Sequence, residues 1–134
     1  MILEEPQLSI KPVSARVTEI SLREDGILRM DMLPVDEITI ADQKEILQKV
    51  HTLGGGKAFC NLVVFKHYIQ VDEGARKFCA SEVANIFTLA DAFVVNSIAL
   101  KLLASFYMQV NKPIRPTRIF TKEDEAISWL RTFL

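Results

Sequence analysis

Two short apolar runs, separated by an amphipathic stretch, dominate the hydrophobic pattern of the chain. Residues 58–65 and 89–95 are rich in Val and Phe, and their length suits buried strands. Between them, core-spaced apolar positions predict a helix from about Gly74 to Ile86. Buried strands that are joined through a helix are typical of a parallel βαβ unit. The pattern therefore predicts an α/β fold built around this unit.

The rest of the pattern can be placed around the central unit. Residues 16–23 and 27–32 alternate on either side of a turn signal, so they predict an antiparallel hairpin. A helix with capping signals at Thr39 and Asp42 follows and ends at three consecutive glycines. After the second buried strand come a helix, a short strand at 117–120 and a final helix that Thr121 is expected to cap.

The predicted order is β-β-α-β-α-β-α-β-α. Right-handed crossovers between the parallel strands then give a single mixed, mostly parallel sheet with an N-terminal antiparallel hairpin and about four helices. Residues 1–14 contain two prolines and little periodicity, so we expect an N-terminal arm before one domain at 15–134.

Composition excludes several classes of function. The 134 residues include 16 basic and 17 acidic side chains, and this balance lacks the excess of positive charge that is typical of proteins that bind nucleic acid or an anionic membrane. No apolar run approaches the roughly 20 residues of a membrane span, and no signal peptide is evident. Cys60 and Cys79 fall at core positions, so we expect buried thiols and a cytoplasmic protein.

The sequence predicts no catalytic residue, no metal site and no cofactor. The three glycines before Lys57 follow a helix and precede a strand, which is the wrong context for a phosphate-binding loop. His67 lies seven residues from Cys60, too far along an extended strand for local contact. No spacing of His, Cys and carboxylate residues suggests a metal site. An enzyme is therefore the last of our hypotheses.

The element order, and the turn Asp72-Glu73-Gly74 after the central strand, resemble the STAS domain of bacterial anti-sigma-factor antagonists. In signalling STAS proteins this turn reads Asp-Ser-Gly and a partner kinase phosphorylates the serine. The C-terminal half is also similar to uncharacterised small bacterial proteins described as STAS-like or lipid-transfer (CRAL-TRIO)-like. The segments that carry this second resemblance are Ala75-Arg76, Val94-Val95-Asn96-Ser97, Asn111-Lys112-Pro113, Pro116-Thr117, Phe120-Thr121, Glu125-Ala126 and Trp129-Leu130.

The resemblance covers about residues 15–134 and implies a SpoIIAA-like fold and a non-enzymatic regulatory domain. It also implies that Glu73 stands where the phosphorylated serine would be. A glutamate carries about one negative charge, against about 1.5–2 for phosphoserine, so phosphorylation is excluded there and a constitutive state is conceivable.

Two candidate sites lie at predicted helix starts. The first is an interaction turn of Asp72, Glu73, Gly74, Arg76 and Lys77. It serves either as a docking point with free backbone N–H groups, or as a simple cap in which the acidic residues complement the helix dipole. The second is formed by Asn96 and Ser97, which either hold an anion or cap the following helix.

The helix at 97–110 is apolar over most of its circumference. One broad face is formed by Ile98, Ala99, Leu102, Leu103, Phe106 and Val110. Four further residues extend it: Leu100, Ala104, Tyr107 and Met108. The candidate residues for a dimer or apolar-ligand contact are Leu100, Leu103, Ala104, Tyr107 and Met108. Such a helix is packed on all sides, contributes to a dimer interface, or forms one wall of a pocket for an acyl chain.

These observations lead to two hypotheses about function, which belong to different functional classes. The first is a self-associating, homodimeric protein-interaction domain with an unknown protein partner. The second is binding of a lipid or another apolar ligand between the helices and the sheet. A cavity lined by Phe87, Phe93, Leu103 and Phe106 would favour the ligand. A solid core with a two-fold contact would favour the interaction domain.

Overall fold

The structure, a computed structural model, describes residues 12–134. Its strands are β1 (Val13–Ser14), β2 (Thr18–Leu22), β3 (Ile27–Met32), β4 (Glu37–Ile38), β5 (Phe59–Val64), β6 (Gln70–Val71), β7 (Thr88–Val94) and β8 (Thr117–Phe120). Its helices are α1 (Ile40–Gly54), α2 (Glu73–Ala80), α3 (Ile98–Val110) and α4 (Glu123–Arg131), with a short 3₁₀ helix at Val83–Asn85.

Six strands form one sheet in the order β1-β2-β3-β5-β7-β8. The pairings β1–β2 and β2–β3 are antiparallel, whereas β3–β5, β5–β7 and β7–β8 are parallel. The predicted fold class is therefore confirmed, with the hairpin at one side of a mostly parallel sheet. The two apolar runs of the sequence are neighbours at its centre as β5 and β7.

Helices cover both faces of this sheet. Alternate side chains of β5 point to opposite faces, because successive residues of a strand do so. Val63 packs in a core cluster with Val50 of α1 and Ala75 of α2. Leu62 packs instead in a second cluster with Leu130 of α4. Helices α1 and α2 therefore share one face, and α4 covers the other.

Two helix ends follow the predicted chemistry. Thr39 caps α1, and Asp42 completes a capping box in which each residue bonds the backbone of the other. Arg16 reinforces this end, since its Nε and Nη2 atoms donate to Asp42 at 2.6 and 2.7 Å. At the other end, Gly55 is the C-cap with φ 61°, a left-handed conformation that glycine adopts without steric cost.

The structure adds short strands that the sequence pattern did not predict. Residues 1–11 of the expected arm lie outside the described residues, and its residues Val13 and Ser14 pair with β2. Two further short strands, β4 and β6, pair with each other in a small parallel sheet. Lys122, with no side-chain hydrogen bond to the helix, occupies the N-cap of α4 in place of Thr121.

The helix expected to run to Ile86 ends at Ala80. Ser81 has extended backbone angles, and its hydroxyl donates to the Phe78 carbonyl at 2.5 Å. Asn85 then donates its side-chain amide to the carbonyls of Cys79 and Ser81. These local bonds compete with helical hydrogen bonding, so the chain breaks into a 3₁₀ turn before β7.

Candidate functional site

Helix α3 begins at Ser97, whose hydroxyl accepts from the Leu100 backbone N–H at 3.2 Å. Its inward side is formed by Leu100, Leu103, Ala104 and Tyr107, of which Leu100 and Tyr107 are buried. The Tyr107 ring meets the Phe93 ring of β7 edge-on at 5.9 Å between centroids. Because Phe93 lies on the face that α1 and α2 cover, α3 belongs to the same layer.

The outward side of α3 is also apolar. Ile98, Leu102, Phe106 and Val110 are 80%, 66%, 46% and 57% exposed, and they form one row at four-residue spacing. We call these four residues the outer ridge. Within residues 12–134, α3 is therefore not packed on all sides.

Much of the broad face that the sequence singled out thus faces solvent. Of the side chains predicted to extend the apolar face, Leu100, Ala104 and Tyr107 face inward, whereas Met108 is half-buried and does not line the cavity described below. Large apolar residues occur on both sides of this helix, and Leu and Ala are found on each, so hydrophobic periodicity alone did not determine its rotation. Leu100 and Tyr107, being buried, are unavailable to a dimer interface.

A cavity of about 140 Å³ lies between the inward side of α3, the helices α1 and α2, and the sheet. Its lining is mainly apolar and includes Phe87, Phe93 and Leu103, three of the four residues expected to line a ligand site. The fourth, Phe106, belongs to the outer ridge. Other lining side chains come from α1 and include Ile46, Leu47 and Val50.

One end of this cavity is polar. Asp91 of β7 lines it and is paired in register with Asn61 of β5. The Asn61 side-chain amide donates to Asp91 Oδ1 at 2.9 Å and to the Thr88 hydroxyl at 3.2 Å. Burial raises the pKa of Asp91 to about 6, although the hydrogen bond from Asn61 opposes the shift.

A signal for this pair is present in the sequence, but our site prediction did not use it. Both residues are polar interruptions in two mainly apolar strands. Polar residues in buried strands usually satisfy each other, so their presence on neighbouring strands could have indicated a cross-strand contact.

Two weakly acidic groups face the same cavity. Burial, and then the charge of Asp91, raise the pKa of the Cys79 thiol to about 12. Burial likewise raises the pKa of the Tyr107 hydroxyl, with a contribution from Cys79. Both groups are therefore neutral near pH 7, and a neutral thiol is a poor nucleophile.

The Asp72-Glu73-Gly74 turn is the N-terminus of α2. Asp72 caps the helix by accepting from the Ala75 backbone N–H at 2.7 Å. Glu73 and Lys77 form an exposed ion pair one turn apart at 3.1 Å. This is the geometry of the simple cap, and it leaves the Glu73 carboxylate and Gly74 exposed at the surface.

Arg76 joins two of the predicted surfaces. Its guanidinium carbon lies 5.2 Å from the centroid of the Phe106 ring, in cation–π geometry. Its Nη1 donates to the Val71 carbonyl, and its buried Nε has no hydrogen-bond partner within residues 12–134. The interaction turn is thus continuous with the outer ridge.

Asn96 and Ser97 lie at the far end of α3. Phe106 is nine residues beyond Ser97, about 13 Å along the helix axis. Asn96 donates its side-chain amide to the Lys66 carbonyl at 3.3 Å. The pair therefore acts as a cap and a loop contact, and the structure does not bring it together with Arg76.

Two further findings concern residues 12–134. No group of three or more His, Cys, Asp or Glu side chains is placed to hold a metal ion. No helix in this range has the length and apolar character needed to cross a membrane.

Residues 20–134 match the model of a family described as "Domain of unknown function (DUF7793)". The chain belongs to DUF7793. None of the curated proteins matches the sequence.

The DUF7793 chain also resembles solved structures. One is an uncharacterized protein of the DUF3478 family, with a SpoIIAA-like fold, from Shewanella loihica PV-4. The two are 12% identical with a TM-score of 0.58, and the alignment covers 90% of this chain and 98% of that one. A protein with unknown function from Arthrobacter sp. FB24 is 25% identical over 84% of this chain and 92% of its own, with a TM-score of 0.30. The first likeness shows a SpoIIAA-like fold for the DUF7793 chain.

Proposed function

We propose that this DUF7793 protein is a non-enzymatic protein-interaction domain that self-associates through the outer ridge. The observation that carries this proposal is the row of four large apolar side chains, all of them 46% exposed or more, on one helix. Single exposed apolar residues are ordinary, but a contiguous exposed row marks an interaction surface in soluble proteins.

The energetic argument follows from burial. Complete burial of a Leu, Ile, Val or Phe side chain is worth roughly 1.5–3 kcal/mol. The outer-ridge side chains have already gained part of this on folding, and a partner that covers them supplies the remainder. Arg76 adds a charged rim beside Phe106, and both aromatic residues and arginine are enriched in interfaces.

A second copy of the chain is the partner that this surface suits. The four side chains of the outer ridge are uncharged, so they can pack against the identical four side chains of a second copy. Its four-residue spacing forms an i±4 ridge, and two such ridges interdigitate at a crossing angle of about −50°. An identical patch on each subunit gives the two-fold interface that is commonest among homo-oligomers.

The regulatory part of the proposal concerns Glu73. It lies exposed at the N-terminus of α2, on the helix that carries Arg76. If residue 73 corresponds to the phosphorylated serine of signalling STAS proteins, the carboxylate makes the acidic state permanent. The interaction is then constitutive and is not switched by a kinase at this position.

Sedimentation velocity of Leu102→Asp tests the proposal. The substitution places a charge in the middle of the outer ridge, so the wild-type protein should sediment as a dimer and the variant as a monomer. Leu134→Asp is the matched control, because Leu134 is similarly exposed (60% against 66%) and follows α4, which covers the opposite face of the sheet. It should remain dimeric. A monomeric wild type contradicts the proposal, as does a fully dimeric Leu102→Asp variant.

The cavity favours a second candidate function, the binding of an apolar ligand. Its volume of about 140 Å³ is close to that of an engineered 150 Å³ cavity that binds benzene. This volume supports a small ligand and is too small for a whole acyl chain. The expected ligand is therefore a compact apolar molecule and not a long-chain lipid.

A further inference from the structure

We propose that the cavity beneath α3 binds a small apolar amine, whose ammonium group pairs with the Asp91 carboxylate. This inference rests on the second candidate function, and it specifies the chemical class of the ligand. It does not depend on the outer ridge, which lies on the opposite side of α3.

The volume limits the body of the ligand. A space of about 140 Å³ accommodates one six-membered ring with a short substituent. Phe87 and Phe93 provide aromatic surface, and Val63 and Leu103 provide aliphatic surface, around this space. Such a lining selects for a hydrocarbon body and leaves orientation to the few polar groups present.

Asp91 lines the cavity, and its carboxylate can accept more hydrogen bonds than the described residues donate to it. Only Oδ1 receives a hydrogen bond, from Asn61, and Asp91 forms no ion pair with any residue in the described range 12–134. Its residue surface is only 9% exposed. A carboxylate that is buried without a cation is costly, and a bound ammonium would compensate it.

The hydrogen bonds of Asn61 determine which atoms near Asp91 remain available to a ligand. The Asn61 amide donates both to Asp91 and to Thr88, so its donors are in use. Asn61 itself does not line the cavity, so the acceptor that an amine can reach there is Asp91. Arg76 also lines the cavity, and its buried Nε is a donor without a partner in residues 12–134, so the benzoate probe below tests the opposite ligand charge.

Arg76 is the cation that lines the cavity, and it does not neutralise Asp91. Its guanidinium is held by the Val71 carbonyl and the Phe106 ring. The pKa of Asp91 is accordingly set by burial and by Asn61. The remaining titratable groups of the lining, Cys79 and Tyr107, are neutral near pH 7 because burial raises their pKa values.

Three probes of similar size test the ligand class: benzylamine, benzyl alcohol and benzoate. Each is titrated into the full-length protein above the pKa of Asp91, and binding is followed by amide chemical shifts of cavity residues. We expect benzylamine to bind at least about tenfold more tightly than benzyl alcohol, as a charge-assisted hydrogen bond predicts. Asp91→Asn should lose this preference and leave benzyl alcohol binding unchanged.

Two further variants separate the site from non-specific effects. Ala104→Phe fills the space beneath α3, so it should abolish binding of all three probes. Asp36→Asn removes an exposed carboxylate and should change nothing. If Asp91→Asn fails to fold, the pH dependence of binding to the wild-type protein replaces it. Protonation of Asp91 below about pH 6 should weaken benzylamine binding at least about tenfold and leave benzyl alcohol binding unchanged.

Several results overturn the inference. These are equal affinity for benzylamine and benzyl alcohol, tighter binding of benzoate, benzylamine binding that survives Ala104→Phe, and no binding of any probe at millimolar concentration. Sedimentation of the same samples reports self-association independently. Loss of the dimer with intact benzylamine binding therefore contradicts only the proposed interaction function.

Discussion

Asp42 and Asp91 are both buried carboxylates, and their surroundings shift their pKa values in opposite directions. Asp42 receives hydrogen bonds from Arg16 and Thr39, and these lower its pKa to about 2. Asp91 has one neutral donor and a largely apolar environment, so its pKa rises to about 6. The first residue stabilises the folded state when ionised, whereas the second is destabilising when ionised.

Asp91→Asn should stabilise the ligand-free protein at pH 7 by about 1–3 kcal/mol, since a shift of about two pKa units corresponds to roughly 3 kcal/mol. The cost of ionised Asp91 is fully present above pH 6 and disappears as the pH falls toward its unfolded value near 4. Urea unfolding of both proteins across this range measures the effect. A variant that is less stable at pH 7, or an unchanged difference at pH 4, contradicts the assignment.

Asp42→Ala should destabilise the protein by about 1–2 kcal/mol, because it removes the capping box of α1. The Arg16 side chain is largely exposed, so its ion pair adds little. The contribution of Asp42 is complete above pH 4 and is lost as the pH falls through about 2. Unfolding in urea at neutral and acidic pH tests both statements. The exposed carboxylate of Asp36 gives the control, Asp36→Ala, which should be neutral.

At the scale of the element, the rotation of α3 about its axis determines which of its leucines contributes to the stability of the monomer. Leu100 is 2% exposed and Leu102 is 66% exposed, so they form a matched pair on one helix. Leu100→Ala should cost about 2–4 kcal/mol. Leu102→Ala should cost less than about 1 kcal/mol in the monomer, studied at low protein concentration. A larger loss from Leu102→Ala, measured by chemical unfolding, would mean that α3 is rotated from the orientation described.

Elements with a distinct pattern could be predicted from the sequence. The apolar runs gave β5 and β7, and the Thr39–Asp42 capping signal gave the start of α1. The rotation of α3 could not be predicted, because both of its sides are apolar. Strands β4 and β6 have two residues each, too few for a periodic signal. The end of α2 depends on hydrogen bonds from the Ser81 and Asn85 side chains to the backbone, and hydrophobic periodicity carries no information about such bonds.

The same contrast holds for the candidate site. The sequence identified α3 and several side chains that line the cavity, because an unusually apolar helix needs two contacts. It did not identify Asp91 as the polar end of that cavity. The Asn61–Asp91 contact depends on the register between β5 and β7, and register becomes visible only when the strands are aligned.

At the scale of the whole molecule, three helices share one face of the sheet, and α4 is the helix that covers the other within residues 12–134. This arrangement leaves a cavity beneath α3 and an apolar row above it, so one helix contributes to two surfaces. The SpoIIAA-like fold is shared with a DUF3478 protein at 12% identity. A shared fold at this distance does not carry function, so the function must be argued from these two surfaces.

The central claim is that two copies of the chain meet through the outer ridge of α3. Isotope-filtered nuclear Overhauser spectra of a mixed sample, with one labelled and one unlabelled copy, test it most directly. The account predicts intermolecular contacts between the methyl groups of Ile98, Leu102 and Val110 and the ring of Phe106. Intermolecular contacts confined to other surfaces, or none at concentrations where sedimentation shows a dimer, would contradict it.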